Sequence, residues 1–240
     1  VEPHISAANS STSDPSVRSE LIGQARAPVI VIDGFHPDPQ ALVDYAESCG
    51  AFTNSSKFYP GMRARGTLEY VQTVRDRLRT LLPGTFGAPH DIVPTECNFS
   101  LVTLRPEETI TFQRIPHFDG TDMNQIAVLH YLCPPRHGGT AFYRHRSTGY
   151  EVITPANARQ YAQVVDSEIR THGVPPPAYV NGSTALFECI AAYEAVFNRA
   201  LVYRGTSLHS GSIPADFIPD SNPRTGRLTV NTFLQLRAAR

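Results

Sequence analysis

The sequence predicts an α+β fold with helices packed on a β-sandwich or barrel. Three features predict it. Apolar residues at helical spacing are concentrated early in the chain; period-two alternation takes over from residue 96; and the pairs Pro83-Gly84, Pro134-Pro135 and Gly138-Gly139 punctuate the segments between. Helices that lead and strands that follow favour segregated layers over an alternating parallel sheet.

In chain order, residues 1–26 are rich in Ser, Ala and Pro, lack periodicity and are expected to form a flexible arm. Residues 27–32 are an apolar run and the first expected strand, turned by Asp33-Gly34. Pro37-Asp38-Pro39 then opens a helix through Ala41, Leu42, Tyr45 and Ala46. Residues 54–66 carry Gly and Pro without a period and are expected to be a loop, with Tyr59-Pro60-Gly61 as its turn. Residues 68–82 return to helical spacing, with Leu68, Val71, Val74, Leu78 and Leu81 on one face and Pro83-Gly84 as the stop.

From Glu96 the pattern alternates up to Arg105-Pro106. Strands are expected over 110–119, 125–133 and 140–143, then a helix from Thr154-Pro155 to about Arg170. Pro175-Pro176-Pro177 forbids helix and marks a linker. Residues 186–197 and 200–203 suggest a hairpin turned at Asn198-Arg199, with a helix over 186–197 as the alternative. Residues 214–226 form a polar, Pro-bearing loop, and 227–236 alternate as a final strand. Residues 27–240 are thus expected to make a single domain.

The 240 residues are 41% hydrophobic and 18% charged, with a net charge of −1. That is ordinary globular composition, with no basic excess to suggest nucleic acid or an anionic membrane as a partner. The expected location is cytoplasmic. Cys49, Cys97, Cys133 and Cys189 are too far apart for a CxxC motif and are expected to be buried free thiols among apolar neighbours. Asn9, Asn54, Asn98 and Asn181 begin N-x-Ser sequons, which are discounted because Asn98 falls in an expected strand.

The candidate chemistry starts at His117-Phe118-Asp119. Side chains two apart on a strand point the same way, so His117 and Asp119 would converge while Phe118 turns aside. A distal histidine, His209, sits in Ser207-Leu208-His209-Ser210-Gly211. Two imidazoles and a carboxylate make the facial ligand set of non-haem Fe(II), which leaves positions open on the metal. A solvated turn is the plainer alternative for His-x-Asp by itself. Arg227 and Thr229 share a face of the final strand and could grip a carboxylate, or else face solvent. His137, Arg144 and His145 could line the substrate side or lie on the surface, Tyr143, Arg146 and Tyr150 are open between pocket and packing, and His130 is expected in the core.

In their order, His117-Phe118-Asp119, Ile126 to Tyr131-Leu132, Gly138-Gly139-Thr140-Ala141-Phe142, the distal His209 and the basic Arg227 resemble the prolyl 4-hydroxylase-like branch of the 2-oxoglutarate/Fe(II)-dependent dioxygenases. The resemblance covers about residues 96 to 236. It implies a double-stranded β-helix (jelly roll) with helices packed on one sheet. It also implies that His117, Asp119 and His209 hold Fe(II), and that Arg227, Thr229 and Tyr131 hold 2-oxoglutarate. Two departures stand out. The stretch from His209 to Arg227 is long, with Arg224 as a rival for the carboxylate, and Cys133 replaces the family's usual asparagine. Tyr59-Pro60-Gly61-Met62-Arg63 is also similar to a loop in a set of uncharacterised bacterial proteins, which would either shape the site entrance or be a plain surface loop.

The resulting expectation is a dioxygenase that hydroxylates a C–H bond of a small molecule, amino acid or peptidyl side chain. The alternatives are a cupin-like metal enzyme that does not use 2-oxoglutarate, and a non-catalytic binding module on the same scaffold.

Overall fold

The computed structural model describes residues 15–54, 58–87 and 90–238. The fold is predominantly antiparallel β, built as two sheets. A seven-stranded sheet has the order β1-β2-β8-β5-β10-β4-β3 and a three-stranded sheet the order β7-β6-β9. The strands are β1 (Ser16–Ile22), β2 (Ala27–Asp33), β3 (Gly61–Arg65), β4 (His90–Val102), β5 (Gln125–Tyr131), β6 (Gly139–His145), β7 (Phe187–Glu194), β8 (Arg199–Arg204), β9 (His209–Ser212) and β10 (Leu228–Ala238). The helices are α1 (Pro39–Ser48), α2 (Leu68–Leu78), α3 (Leu82–Phe86) and α4 (Ala158–His172).

Strand register divides the large sheet into two unlike faces. The outer face (Phe99, Leu101, Val128, Val202, Leu228, Val230) packs against Leu42, Val43 and Ala46 of α1 and Tyr70, Val74 and Leu78 of α2. The inner face meets Phe142 and Tyr193 of the small sheet through Val29, Val31, Leu201 and Tyr203. Residues directly opposite across a ladder share a face. One inner row therefore runs Arg63, Ser100, Thr229, Tyr131, Arg199, and the next runs Asn98, Asn231, Leu129, Leu201, Val31. The inner face is thus polar on β3, β4 and β10, while β2 and β8 present Val29, Val31, Leu201 and Tyr203, with the ion-paired Asp33 and Arg199 at one end. The outer face of the small sheet, with Ala141, Tyr143 and Phe187, is covered by Tyr161 and Val165 of α4. Helices therefore pack on both outer faces, not on one sheet alone.

Local chemistry explains the element boundaries. The Asp38 side chain accepts from the Ala41 N–H to cap α1, which opens on Pro39, and the Thr67 hydroxyl caps α2 through the Tyr70 N–H. Leu68, expected on the buried face of α2, is 87% exposed, and Tyr70 takes its place.

Several expectations are corrected. Residues 1–14, with the Asn9 sequon, lie outside the described residues. The rest of the expected arm is no arm: β1 pairs along its whole length with β2, turned at Gly23 and Arg26, both with positive φ. The expected loop 54–66 contains β3. Gly61 lets β3 approach β4, since a Cβ there would sit 2.0 Å from the Leu101 carbonyl. α2 ends at Leu78, ahead of the expected stop at Pro83-Gly84, which lies inside α3, and β4 begins at His90, before the expected Glu96. Residues 186–203 form no hairpin. β7 pairs with β6 in the small sheet and β8 with β2 and β5 in the large one, so Asn198 (φ 64) turns the chain between sheets. Strand 110–119 is absent, replaced by a 3-10 turn over Thr111–Gln113 and a single bridge at His117. Of the four free cysteines only Cys133 is buried, the others being half-buried. No helix among the described residues is long and apolar enough to cross a membrane.

Candidate metal centre

His117 and His209 face each other across one isolated antiparallel bridge. Each N–H donates to the other's carbonyl at 2.8 Å. In such a hydrogen-bonded pair the two side chains leave on the same side, and the ring centroids lie 4.4 Å apart. Asp119, two residues on, is tied down by its N–H donating to the Gly205 carbonyl at 2.7 Å. A Cβ on Gly205 would lie 3.2 Å from the Asp119 Cβ, so glycine lets the carboxylate come this close. Phe118 turns the other way, onto Tyr161 of α4. The convergence expected from a regular strand thus comes from one bridge and one tether.

Asp119 lies 3.9 Å from His117 Nε2 and 3.7 Å from His209 Nε2, and one ligand atom from each of the three residues lies within 4.8 Å of the others. His209 is wedged against Tyr203 and Phe142, and its Nδ1 lies 2.9 Å from the Ser207 carbonyl. Donation there places the proton on Nδ1 and leaves the Nε2 lone pair aimed at Asp119. Burial lowers the His209 pKa to about 4 against the opposing pull of the Ser207 carbonyl. Burial and then the neighbouring His209 draw His117 down as well. With 52% of its side chain in solvent, His117 is the less constrained of the two. Burial raises Asp119 to about 6, opposed by His117 and Arg63. Asp119 Oδ2 is buried without a hydrogen-bond partner. Two neutral imidazoles and an under-satisfied carboxylate are a donor set that fits a divalent metal ion.

Arg227 is buried, 4% exposed, immediately before β10. Its Nε donates to the His137 carbonyl at 3.1 Å and its Nη2 to the Gly139 carbonyl at 2.7 Å. Gly138 and Gly139 make this possible. Gly138 has φ +90, and a Cβ on Gly139 would sit 1.9 Å from the Tyr193 carbonyl. No carboxylate pairs with Arg227 among the described residues, whereas Arg224 is exposed and bridged to Asp44 and Glu47 of α1. The two arginines are rivals in the sequence; the structure commits Arg224 to the helix surface. Thr229 is buried on the same strand and donates to the Ser100 carbonyl at 3.5 Å. Tyr131, also buried, donates its O–H to Thr140 at 2.6 Å.

The Tyr59–Arg63 segment reaches the same interior. The Pro60 carbonyl accepts from the Thr103 and Leu104 N–H groups at 3.1 and 3.3 Å, anchoring the turn to the end of β4. The Arg63 guanidinium stacks on the Tyr59 ring at 4.6 Å and bridges to Glu96 at 3.3 Å. A cleft of about 330 Å3 opens beside Tyr59, Gly61, Leu104 and Ile110.

The other candidates are structural. His130 is buried between Tyr70 and Asn198. His145 is buried between Thr148 and Glu168. Arg144 is held by Glu151 and Glu188. Tyr150 donates to Gln160, and Arg146 to the Thr184 carbonyl. The Tyr143 hydroxyl is buried without a partner, as is His137 Nε2. Sequence reasoning missed Gly205 and Thr140. A glycine just past an apolar run was the available signal for Gly205; Thr140 had none.

HygX from Streptomyces hygroscopicus, solved with nickel, 2-oxoglutarate and hygromycin B bound, is similar in structure. It is 10% identical, with 86% of this chain and 82% of that chain covered and a TM-score of 0.50. At that identity the likeness speaks to the fold alone. Looser likenesses are AviO1 from Streptomyces viridochromogenes Tue57 (15% identity, 94% and 91% coverage, TM-score 0.43) and an N-substituted L-amino acid dioxygenase from Burkholderia ambifaria AMMD (12%, 94% and 99%, 0.45). No curated protein matches in sequence. The model of a family of unknown function, DUF6445, matches residues 13–234, and the chain belongs to that family.

Proposed function

We propose that this protein is an Fe(II)- and 2-oxoglutarate-dependent oxygenase that hydroxylates a C–H bond of a small molecule, amino acid or peptidyl side chain. The two sheets would then form a double-stranded β-helix of the prolyl 4-hydroxylase-like branch. The observation that carries this reading is the meeting of His117, Asp119 and His209, with Asp119 Oδ2 buried and unpartnered. These three residues would hold the metal. Arg227 and Thr229 would hold the far carboxylate of 2-oxoglutarate, and the HygX likeness supports that cosubstrate for the scaffold. When bound, metal and 2-oxoglutarate supply the oxidising chemistry, with succinate and CO2 as by-products.

The protein's own residues do the positioning. The Ser207 carbonyl fixes the His209 tautomer, and the Gly205 carbonyl fixes Asp119. The His137 and Gly139 carbonyls fix Arg227 while leaving its charge uncompensated by any carboxylate among the described residues. A buried guanidinium is costly unless an anion meets it. That favours this reading over a cupin-like enzyme without 2-oxoglutarate. Anaerobic addition of Fe(II) and 2-oxoglutarate should give a weak visible charge-transfer band, and aerobic incubation should release succinate. Both should be lost in His209→Ala, and succinate release should fall at least ~100-fold in Arg227→Ala. A band and succinate yield unchanged in both variants would sink the reading.

A further inference from the structure

The family resemblance assigns the tyrosine that meets 2-oxoglutarate to Tyr131, but that hydroxyl is already used. A phenol has a single proton to donate, and Tyr131 donates its own to Thr140 at 2.6 Å. A carboxylate only accepts, so Tyr131 offers it lone pairs where it needs a donor.

A second tyrosine lies in the same interior with its proton unspent. The Tyr59 hydroxyl is buried and makes no hydrogen bond. Its surroundings are the surroundings of Arg227: the charges of Arg227 and Arg63 both act on the phenol, and Thr229 lies beside it. Thr229, its own proton directed at the Ser100 carbonyl, could only accept from the phenol, and no hydrogen bond of normal geometry joins the two. The ring is held from behind by the Arg63 stack and the backbone by the Pro60 anchor. A buried donor without an acceptor is a recurrent cost to the fold, of the kind that persists where a ligand meets it.

We propose that Tyr59 is the hydroxyl that donates to the far carboxylate of 2-oxoglutarate, beside Arg227 and Thr229, and that Tyr131 is only a wall of that space. The assignment rests on the oxygenase reading above. It gives the Tyr-Pro-Gly-x-Arg segment a purpose: Tyr59 contacts the cosubstrate, Pro60 and Gly61 set its reach, and Arg63 braces its ring.

The test is calorimetric binding of 2-oxoglutarate to the Ni(II)-loaded full chain, with 2-oxobutyrate as the probe that keeps the keto acid and lacks the second carboxylate. Tyr59→Phe should bind 2-oxoglutarate roughly tenfold or more weakly, as expected for a hydrogen bond to a charged group. It should bind 2-oxobutyrate as the parent does, and Tyr131→Phe should stay within about twofold of the parent for both ligands. The proposal is overturned if Tyr59→Phe holds 2-oxoglutarate as tightly as the parent while Arg227→Met loses it; the oxygenase reading then survives. Equal weakening of both ligands in Tyr59→Phe, or a Tyr131→Phe loss as large as that of Tyr59→Phe, also overturns it. If the metal-loaded parent fails to bind 2-oxoglutarate at all, the oxygenase reading itself fails and the proposal goes with it.

Discussion

At Asp119 the candidate site works against the fold that carries it. Its carboxyl is raised from 3.8 to about 6, with burial as the leading cause. A carboxyl with a raised folded pKa holds its proton after the unfolded chain has lost its own. Stability therefore falls as pH rises from near 4 to near 6 and stays low above that. Asp119→Asn removes the ionisation. In chelator-treated protein at pH 8 it should raise unfolding stability by about 2–3 kcal/mol, with no gain at pH 4. Urea melts at the two pH values measure this directly, and an equal effect at both would refute it. The same variant should lose the rise in Tm that added divalent metal gives the parent. The grouping of His117, Asp119 and His209 was legible from residue type and chain order, although a single bridge stands where a strand was expected. The unspent proton of Tyr59 was not, since it depends on which hydroxyls find partners after folding.

Among the elements, the Gly138-Gly139 step at the start of β6 is the most demanding. It supplies one of the two carbonyls that seat Arg227 and presses β6 against β7. Gly139→Ala would drive a methyl to 1.9 Å from the Tyr193 carbonyl, so the strands must part. The expected loss is about 2–4 kcal/mol of stability, read as a lower urea midpoint. Gly50 is the opposite case: a Cβ added there would meet no atom within 4 Å, but its φ is +57. Gly50→Ala should therefore cost about 1 kcal/mol from backbone strain alone. What the sequence revealed of the elements follows the reach of each signal. α1, α2, β2, β5 and β10 were legible because caps and periodicity are local. β3 was hidden by its Pro-Gly turn. The 110–119 segment alternates but finds a partner only at His117. β7 and β8 read as a hairpin because no local signal states that a turn such as Asn198 crosses between sheets.

The two sheets are fastened together by Glu151. Its carboxylate is 2% exposed, accepts from the Gln24 and Ala25 N–H groups at the β1–β2 turn and bridges to Arg144 of the small sheet at 2.6 Å. Removing it frees the two turn N–H groups and leaves Arg144 to Glu188 alone, so Glu151→Ala should cost roughly 1–3 kcal/mol in thermal or urea unfolding. The divided inner face has its own consequence for anything that enters between the sheets. One end offers Arg63, Ser100, Thr229 and Asn231; the other offers Val31, Leu201 and Tyr203. A guest inserted backwards would strand its heteroatoms against hydrocarbon and leave the wall's donors unanswered, and both penalties act together. In the oxygenase reading, the walls would therefore favour a guest whose charged tip lies toward β10 over the reversed placement.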